Sequence, residues 1–348
     1  MERGGPVIQY RLMRDVLHHT PASSTWPLMP YGSRAGWNLV GLQHGDGTWE
    51  GGVLAAPAGL GLKGVGTVTA YRRLLELGWD PETPSLALAK RILFRALAQD
   101  DDPTLLGELR PSVDDEDLIL RGRLILREAA AAALAQAGYE ADPRLRGAAR
   151  RLIDRVWVFL RSPLAQKPFV RIGNQHVLPA EAAAPSYHLL LMLAFMPQFR
   201  FENAEFMERL FTFLTAPWPR QAPMQQVGPH VVEQSHLVLG DFLATRGDLD
   251  GDMPSALAWL EIMARIGFLG RHDGWVKLLD RTLGDRDRRQ VWTPPRSVAM
   301  PPEVPSWSWP MLPLSDSAAG GDAAALSVDV TFRLALIARL AGRALEII

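Results

Sequence analysis

Cysteine is missing from all 348 residues. Without a thiol there is no disulfide, no thiolate nucleophile and no Cys-ligated zinc or iron–sulfur centre, so a metal here would have to rest on His, Asp and Glu. An excess of one charge sign is missing too. The 37 basic and 38 acidic side chains leave a net charge of −1, and no global positive field draws the chain to nucleic acid or to an anionic membrane. Nucleic acid is therefore not an expected partner. Long apolar runs are also lacking: the most apolar stretch, 189–196, falls far short of the ~20 residues that a spanning helix needs. The first six residues lead into a mixed segment, 7–17, rather than a basic stretch followed by an apolar one. No transmembrane segment and no secretory signal are expected, and the cytoplasm is the default compartment. What the chain does have is 47% hydrophobic residues, enough at this length to bury the core of one large domain or two ordinary ones.

Compared with itself, the chain repeats. Leu74-Leu75-Glu76-Leu77-Gly78-Trp79-Asp80 is followed by Pro84, Leu86, Arg91 and Leu93. About 60 residues later, Leu134-Ala135-Gln136-Ala137-Gly138-Tyr139-Glu140 is followed by Pro143, Leu145, Arg150 and Leu152. Ile266-Gly267-Phe268 is a weaker third echo. Each copy reads as a helix that ends at a Gly in the left-handed conformation, an aromatic folded back on the last turn, and a new helix with Pro in its first turn. Such helical hairpins bury their apolar faces only by stacking on one another, as an open solenoid or a closed toroid. The expected fold is all-α, an α/α toroid built from repeated helical hairpins and formed by residues 1–348 as a single domain.

Apolar spacing of 3.6 residues predicts further helices over 115–137, 142–160, 180–196, 203–215, 231–245, 254–266 and 328–348. In the last of these, Phe332, Leu336, Ile337 and Leu340 oppose Arg333, Arg339 and Arg343, an amphipathic pattern suited to packing on a core. No strand series is evident, though short β-ribbons suit 53–56 and 169–177. Between 293 and 322 the composition shifts to Pro, Ser and Gly around Trp307 and Trp309. That composition excludes a continuous helix and predicts a loop laid over the body.

The segment Gly36-Trp37-Asn38-Leu39-Val40-Gly41-Leu42-Gln43-His44-Gly45-Asp46-Gly47-Thr48-Trp49 resembles the QW motif of squalene-hopene cyclases and of the wider terpene-cyclase and prenyltransferase toroids. In that motif an apolar helix end is followed by Gln, a short spacer and Gly-x-Trp. The Gln and Trp side chains then bond the helix's last carbonyls and stiffen the corner. His272-Asp273-Gly274-Trp275 looks like an incomplete second copy. The resemblance implies an α/α toroid with an apolar, isoprenoid-type ligand in a central cavity. The family's catalytic motifs are not matched. Asp248-Leu249-Asp250-Gly251-Asp252 has the acid density of the cyclases' Asp-x-Asp-Asp but not its spacing, Asp114-Asp115-Glu116-Asp117 does not form Asp-Asp-x-x-Asp, and the prenyltransferases' zinc-binding Cys is missing.

Several groups of residues suit particular chemistry. Asp248, Asp250 and Asp252 suit a general acid or a hard-cation site, because alternating carboxylates in a turn converge on one point; a solvated turn between helices is the plainer reading. His230, Glu233 and His236, three apart on the expected helix, share one face and suit a metal, with capping and core hydrogen bonds as the alternative. Asp46 and Glu50 flank Trp49 beside His44, and facing carboxylates at such corners act as acid and base in glycan-acting (α/α) barrels. As turn residues they need no chemistry. Trp49, Trp275, Trp307 and Trp309 suit an aromatic-lined cavity that stabilises a cation or stacks on a sugar, and equally a core. Gly59, Gly61 and Gly64 match a dinucleotide fingerprint in letter, but no βαβ series follows.

Three functional readings follow. One is a terpene-cyclase- or prenyltransferase-like toroid that binds or transforms an apolar isoprenoid-type ligand. Another is a non-catalytic scaffold that binds a protein partner, and the third is an (α/α)-barrel carbohydrate-active protein. No cofactor is indicated, and whether the chain is an enzyme stays open at this level.

Overall fold

The computed structural model describes residues 4–18, 26–49, 66–98, 115–217, 223–243, 249–287, 291–293 and 313–345. These are mostly helical, in agreement with the all-α expectation. In chain order the elements are α1 (Gly5–Arg11), α2 (Arg34–Gly41), α3 (Thr67–Glu76), α4 (Pro84–Ala98), α5 (Glu116–Gln136), α6 (Pro143–Arg161), β1 (Val170–Ile172), β2 (Gln175–Val177), α7 (Tyr187–Ala194), α8 (Pro197–Glu202), α9 (Ala204–Leu214), β3 (Met224–Val227), β4 (His230–Glu233), α10 (Leu249–Ile266), α11 (Asp273–Gly284), α12 (Asp316–Ala319) and α13 (Ala323–Leu340). Contacts group the chain into two compact units. One comprises Met1–Gly41, Arg73–Asp80 and Arg246–Ile348, the other Leu42–Arg72 and Pro81–Thr245.

The repeated corners form as the sequence predicts. Gly78 and Gly138 both take φ +89 and Gly267 takes φ +90. In each, the next residue's amide reaches back to the helix, Trp79 to the carbonyl of Leu74, Tyr139 to that of Leu134 and Phe268 to that of Met263. These bonds satisfy carbonyls that a helix end otherwise leaves open. The first two corners lead into Pro84 of α4 and Pro143 of α6. Side-chain caps complete the helix starts: Asp115 accepts the amides of Asp117 and Leu118 ahead of α5, and Asp142 accepts that of Arg144 ahead of α6.

Three expectations are corrected. The helix expected over 180–196 is confined to Tyr187–Ala194, because Pro185 and the cap Ser186 set its start. Ahead of it the carbonyls of Pro179 and Ala182 are taken instead by Gln225 Nε2, at 3.1 and 2.8 Å. The helix expected over 231–245 does not form at its start: His230–Glu233 is strand β4, antiparallel to β3, with Val227 opposite His230 across a turn at Gly228, φ +55. Val231 and Val232 suit a strand, and the positive φ is one that Gly supplies at no steric cost. Finally, α13 begins at Ala323, five residues ahead of expectation, because Asp322 caps it, and ends at Leu340 before Gly342, φ +72. The ribbon suited to 169–177 forms as β1 and β2, whereas 53–56 and the segment 294–312 lie outside the described residues.

In the first unit α10 packs on α13, and Trp259 and Trp275 meet edge to face at 5.8 Å, both almost wholly buried. In the second unit α5 is the central element. Ala129 to Ala135 are all buried, and this run of small side chains allows α4, α6 and α7 to approach. Its earlier turns carry Arg121 and Glu128, seven residues apart and hence on one face. Among the described residues no helix is long and apolar enough to cross a membrane.

Candidate functional site

The residues singled out by the QW-like segment are parts of a braced corner. Gln43 Nε2 donates to the carbonyls of Gly47 (3.1 Å) and Ser85 (2.9 Å), and the Ser85 hydroxyl donates back to Gln43 Oε1. The glutamine therefore ties its own turn to the first turn of α4. Trp49 is 1% exposed, and its amide donates to Thr67 Oγ1 at 3.1 Å. Asp46, at the exposed tip, accepts the Thr48 amide (2.9 Å) and hydroxyl (2.7 Å), and these bonds hold its carboxyl below the usual range. A carboxylate held ionised in this way is a poor proton donor. His44 is exposed on the same turn.

The other predicted residues are similarly engaged. Asp252, where α10 kinks (φ −151, ψ 66), accepts the Ser255 amide at 3.3 Å and so restarts the helix. His272 caps α11 by accepting the Trp275 amide through Nδ1, its ring 4.4 Å from the Trp275 ring. Glu50, Gly59, Gly61, Gly64, Asp248, Trp307 and Trp309, and the side chain of Asp250, lie outside the described residues. The intended metal set is not assembled. His230 and Glu233 are exposed on β4, where an odd spacing places them on opposite faces, and His230 Nε2 pairs with Asp115 Oδ2 at 2.8 Å. His236 is 3% exposed in the interior. Among the described residues no three His, Asp or Glu side chains are placed to hold a metal.

His236 belongs instead to a buried polar cluster in the second unit. Ser186, the cap of α7, donates its hydroxyl to Glu128 Oε2 at 2.5 Å and accepts the Leu189 amide at 3.0 Å. Arg155, from α6, pairs with Glu128 Oε1. Arg121, two turns before Glu128 on α5, donates through Nε to Gln234 Oε1 at 3.1 Å. The amide of Tyr187 donates to the His236 carbonyl at 2.8 Å, and the His188 and His236 rings lie 6.3 Å apart with their planes at 28°. Arg72 reaches the Tyr187 hydroxyl at 3.3 Å and Gln136 Oε1 at 3.1 Å.

The electrostatics follow from burial. His188 is pushed down to about 3 by burial, with the Arg72 charge adding to it. His236 is pushed well below its ordinary value by burial and then by Arg121, His188 and Arg155. Both imidazoles are neutral at pH 7. Burial also weakens the charged form of Arg121, against the pull of Glu128 and with the push of Arg155. Arg121 and Arg155 thus flank Glu128, while Arg72 lies beside His188, and beyond its bond to Gln234 the Arg121 guanidinium makes no hydrogen bond among the described residues. Such a cluster can receive an anion.

Of this set the sequence reading named His236 alone, and for another role. Two signals were available. Arg121 and Glu128 lie seven apart on an otherwise apolar helix face, and Ser186-Tyr187-His188 puts two polar groups directly ahead of the most apolar run in the chain. The comparisons add no relative: no family model, no curated protein and no solved structure matches this chain.

Proposed function

We propose that the protein is a helical ligand-binding protein and that Arg121 and Arg155 hold an anionic group of its ligand. The observation that carries this reading is the imbalance at Glu128, one carboxylate between the guanidinium groups of Arg121 and Arg155 and beside two imidazoles kept neutral. These guanidinium groups are half-buried, the Arg155 side chain 32% exposed, so an anion can reach them from solvent and offset their partial desolvation. Guanidinium groups suit phosphate and carboxylate oxygens because their N–H groups form a planar fork. The reading is of binding, with the reaction unassigned, since Asp46 and Asp252 are engaged in a turn and a cap.

An isoprenoid diphosphate joins such a head to the apolar tail that the resemblance at residues 36–49 implies, and it is the ligand class we favour. The α/α toroid belongs to the same reading. The test is thermal unfolding and calorimetry with inorganic diphosphate, farnesyl diphosphate and farnesol. A bound anion raises the midpoint in proportion to the logarithm of its concentration. Both diphosphates are expected to stabilise the protein and farnesol alone to do so less, with the effect lost in Arg121→Gln. No shift with either diphosphate at millimolar concentration overturns the anion site. A shift with inorganic diphosphate alone keeps the anion site and removes the isoprenoid.

A further inference from the structure

The first unit contains a cavity of about 500 Å³, walled by Pro6 at the start of α1, by Ser33 ahead of α2, and by the α12–α13 turn with Ser315, Asp316, Ser317 and Asp322. Two of its hydroxyls are buried donors. Ser33 is 3% and Ser315 8% exposed. Each accepts a backbone amide, from Gly36 at 3.4 Å and from Ala318 at 3.1 Å, and neither donates its own hydrogen to any described residue. A serine hydroxyl carries one donor as well as its acceptor lone pairs. The two hydroxyls are therefore available to donate to a molecule inside the cavity.

Acceptors stand beside them. Asp316 takes the amides of Arg34 (2.9 Å) and Ala35 (3.1 Å), one on each oxygen, and Asp322 Oδ1 takes those of Ala324 (2.9 Å) and Ala325 (3.4 Å). Ionised carboxylates have about four acceptor positions, so each retains free lone pairs. Their charge is partly offset because each caps a helix N-terminus, α2 or α13. Among the described residues no basic side chain lines the cavity, which disfavours an anion, and the offset weakens its hold on a simple cation. The remaining walls, such as the Pro6 ring, are apolar. Donors and acceptors side by side around a C–H surface match a molecule that presents both along one ring. The volume lies within the range of small-molecule pockets.

We propose that this cavity, bounded by Ser33, Ser315, Asp316 and Asp322, is a binding site for a small uncharged polyol of monosaccharide or cyclitol size. It is independent of the anion site and lies in the other unit. The test is saturation-transfer NMR on the full chain with D-glucose and myo-inositol, with putrescine and inorganic phosphate as controls. Binding of at least one polyol in the millimolar range is expected. Ala324 is exposed at the mouth of the cavity, and Ala324→Trp should block it, weakening polyol binding at least tenfold while circular dichroism and the melting midpoint stay unchanged. Ser33→Ala should weaken it less, by removing one donor. Absence of polyol transfer, transfer undiminished in Ala324→Trp, or preference for putrescine or phosphate overturns the proposal and leaves the cavity to water.

Discussion

Arg333 shows how much one side chain can carry. It is 1% exposed in the first unit, with Nε on Asp329 Oδ1 at 2.8 Å and Nη2 on Glu76 Oε1 at 3.0 Å. Asp329 is fully buried and also accepts the Leu314 amide. Burial alone would raise the Glu76 carboxyl, but Arg73, Arg333 and Arg11 hold it to about 2. Replacing a buried pair by apolar groups can be neutral, whereas removing one partner strands the other charge at ~3–5 kcal/mol. Arg333→Met is therefore expected to cost about that much, read from the shift of the urea midpoint at constant m. A loss below ~1 kcal/mol would mean that water reaches Asp329 once its partner is gone. The sequence puts Arg333 on the polar side of an amphipathic helix. Its burial was illegible there because the acids that receive it, Asp329 and Glu76, lie four and 257 residues away, and only the nearer is visible as a helical neighbour.

Among the elements, the corners at Gly78 and Gly138 are a controlled comparison, since both have φ +89 and the same backbone bonds. A Cβ on Gly138 would meet nothing within 4 Å, while one on Gly78 would lie 2.9 Å from Tyr10 Cδ1. Gly138→Ala should cost only the strain of the left-handed backbone, ~1–2 kcal/mol. Gly78→Ala should add an overpacking cost of ~1 kcal/mol or more. Thermal or urea unfolding of the two variants gives the difference, and equal losses would show that Tyr10 moves aside freely. These corners were legible because Gly, the aromatic and Pro act within a few residues of one another. The hairpin at β3 and β4 was not, since Val231, Val238 and Phe242 also satisfy a helical spacing and only the turn at Gly228 signals a strand pair. For the same reason His230, Glu233 and His236 looked like one face and are not. Where the resemblance implies bonds to the last carbonyls of α2, Gln43 instead bonds those of Gly47 and of Ser85 on α4, the latter 42 residues away and outside any local motif.

Across the molecule, buried titratable groups make stability depend on pH in two stages. Glu76 at about 2 and Asp15 at about 2 contribute stability that is present above the ordinary carboxylate range and is lost as pH falls toward their folded values. His188 acts earlier. Its folded value, about 3, lies below the 6.5 of an unperturbed imidazole, so between those values the unfolded chain binds the extra proton and stability falls as pH is lowered. At pH 5 this amounts to ~2 kcal/mol relative to pH 7, and His236 acts in the same direction. The melting midpoint is therefore expected to drop between pH 7 and 5, before most carboxylates titrate. His188→Gln should flatten that slope whatever its effect at pH 7. If the wild-type midpoint is level from pH 7 to 5, the two imidazoles are not held neutral in the interior. A bound anion opposes the arginine charges that help to keep the imidazoles neutral. Sulfate, whose own charge does not change over this range, should therefore raise the midpoint more at pH 5 than at pH 7, and loss of that difference in Arg121→Gln separates occupancy of the Arg121 cluster from anion adsorption at the exposed surface.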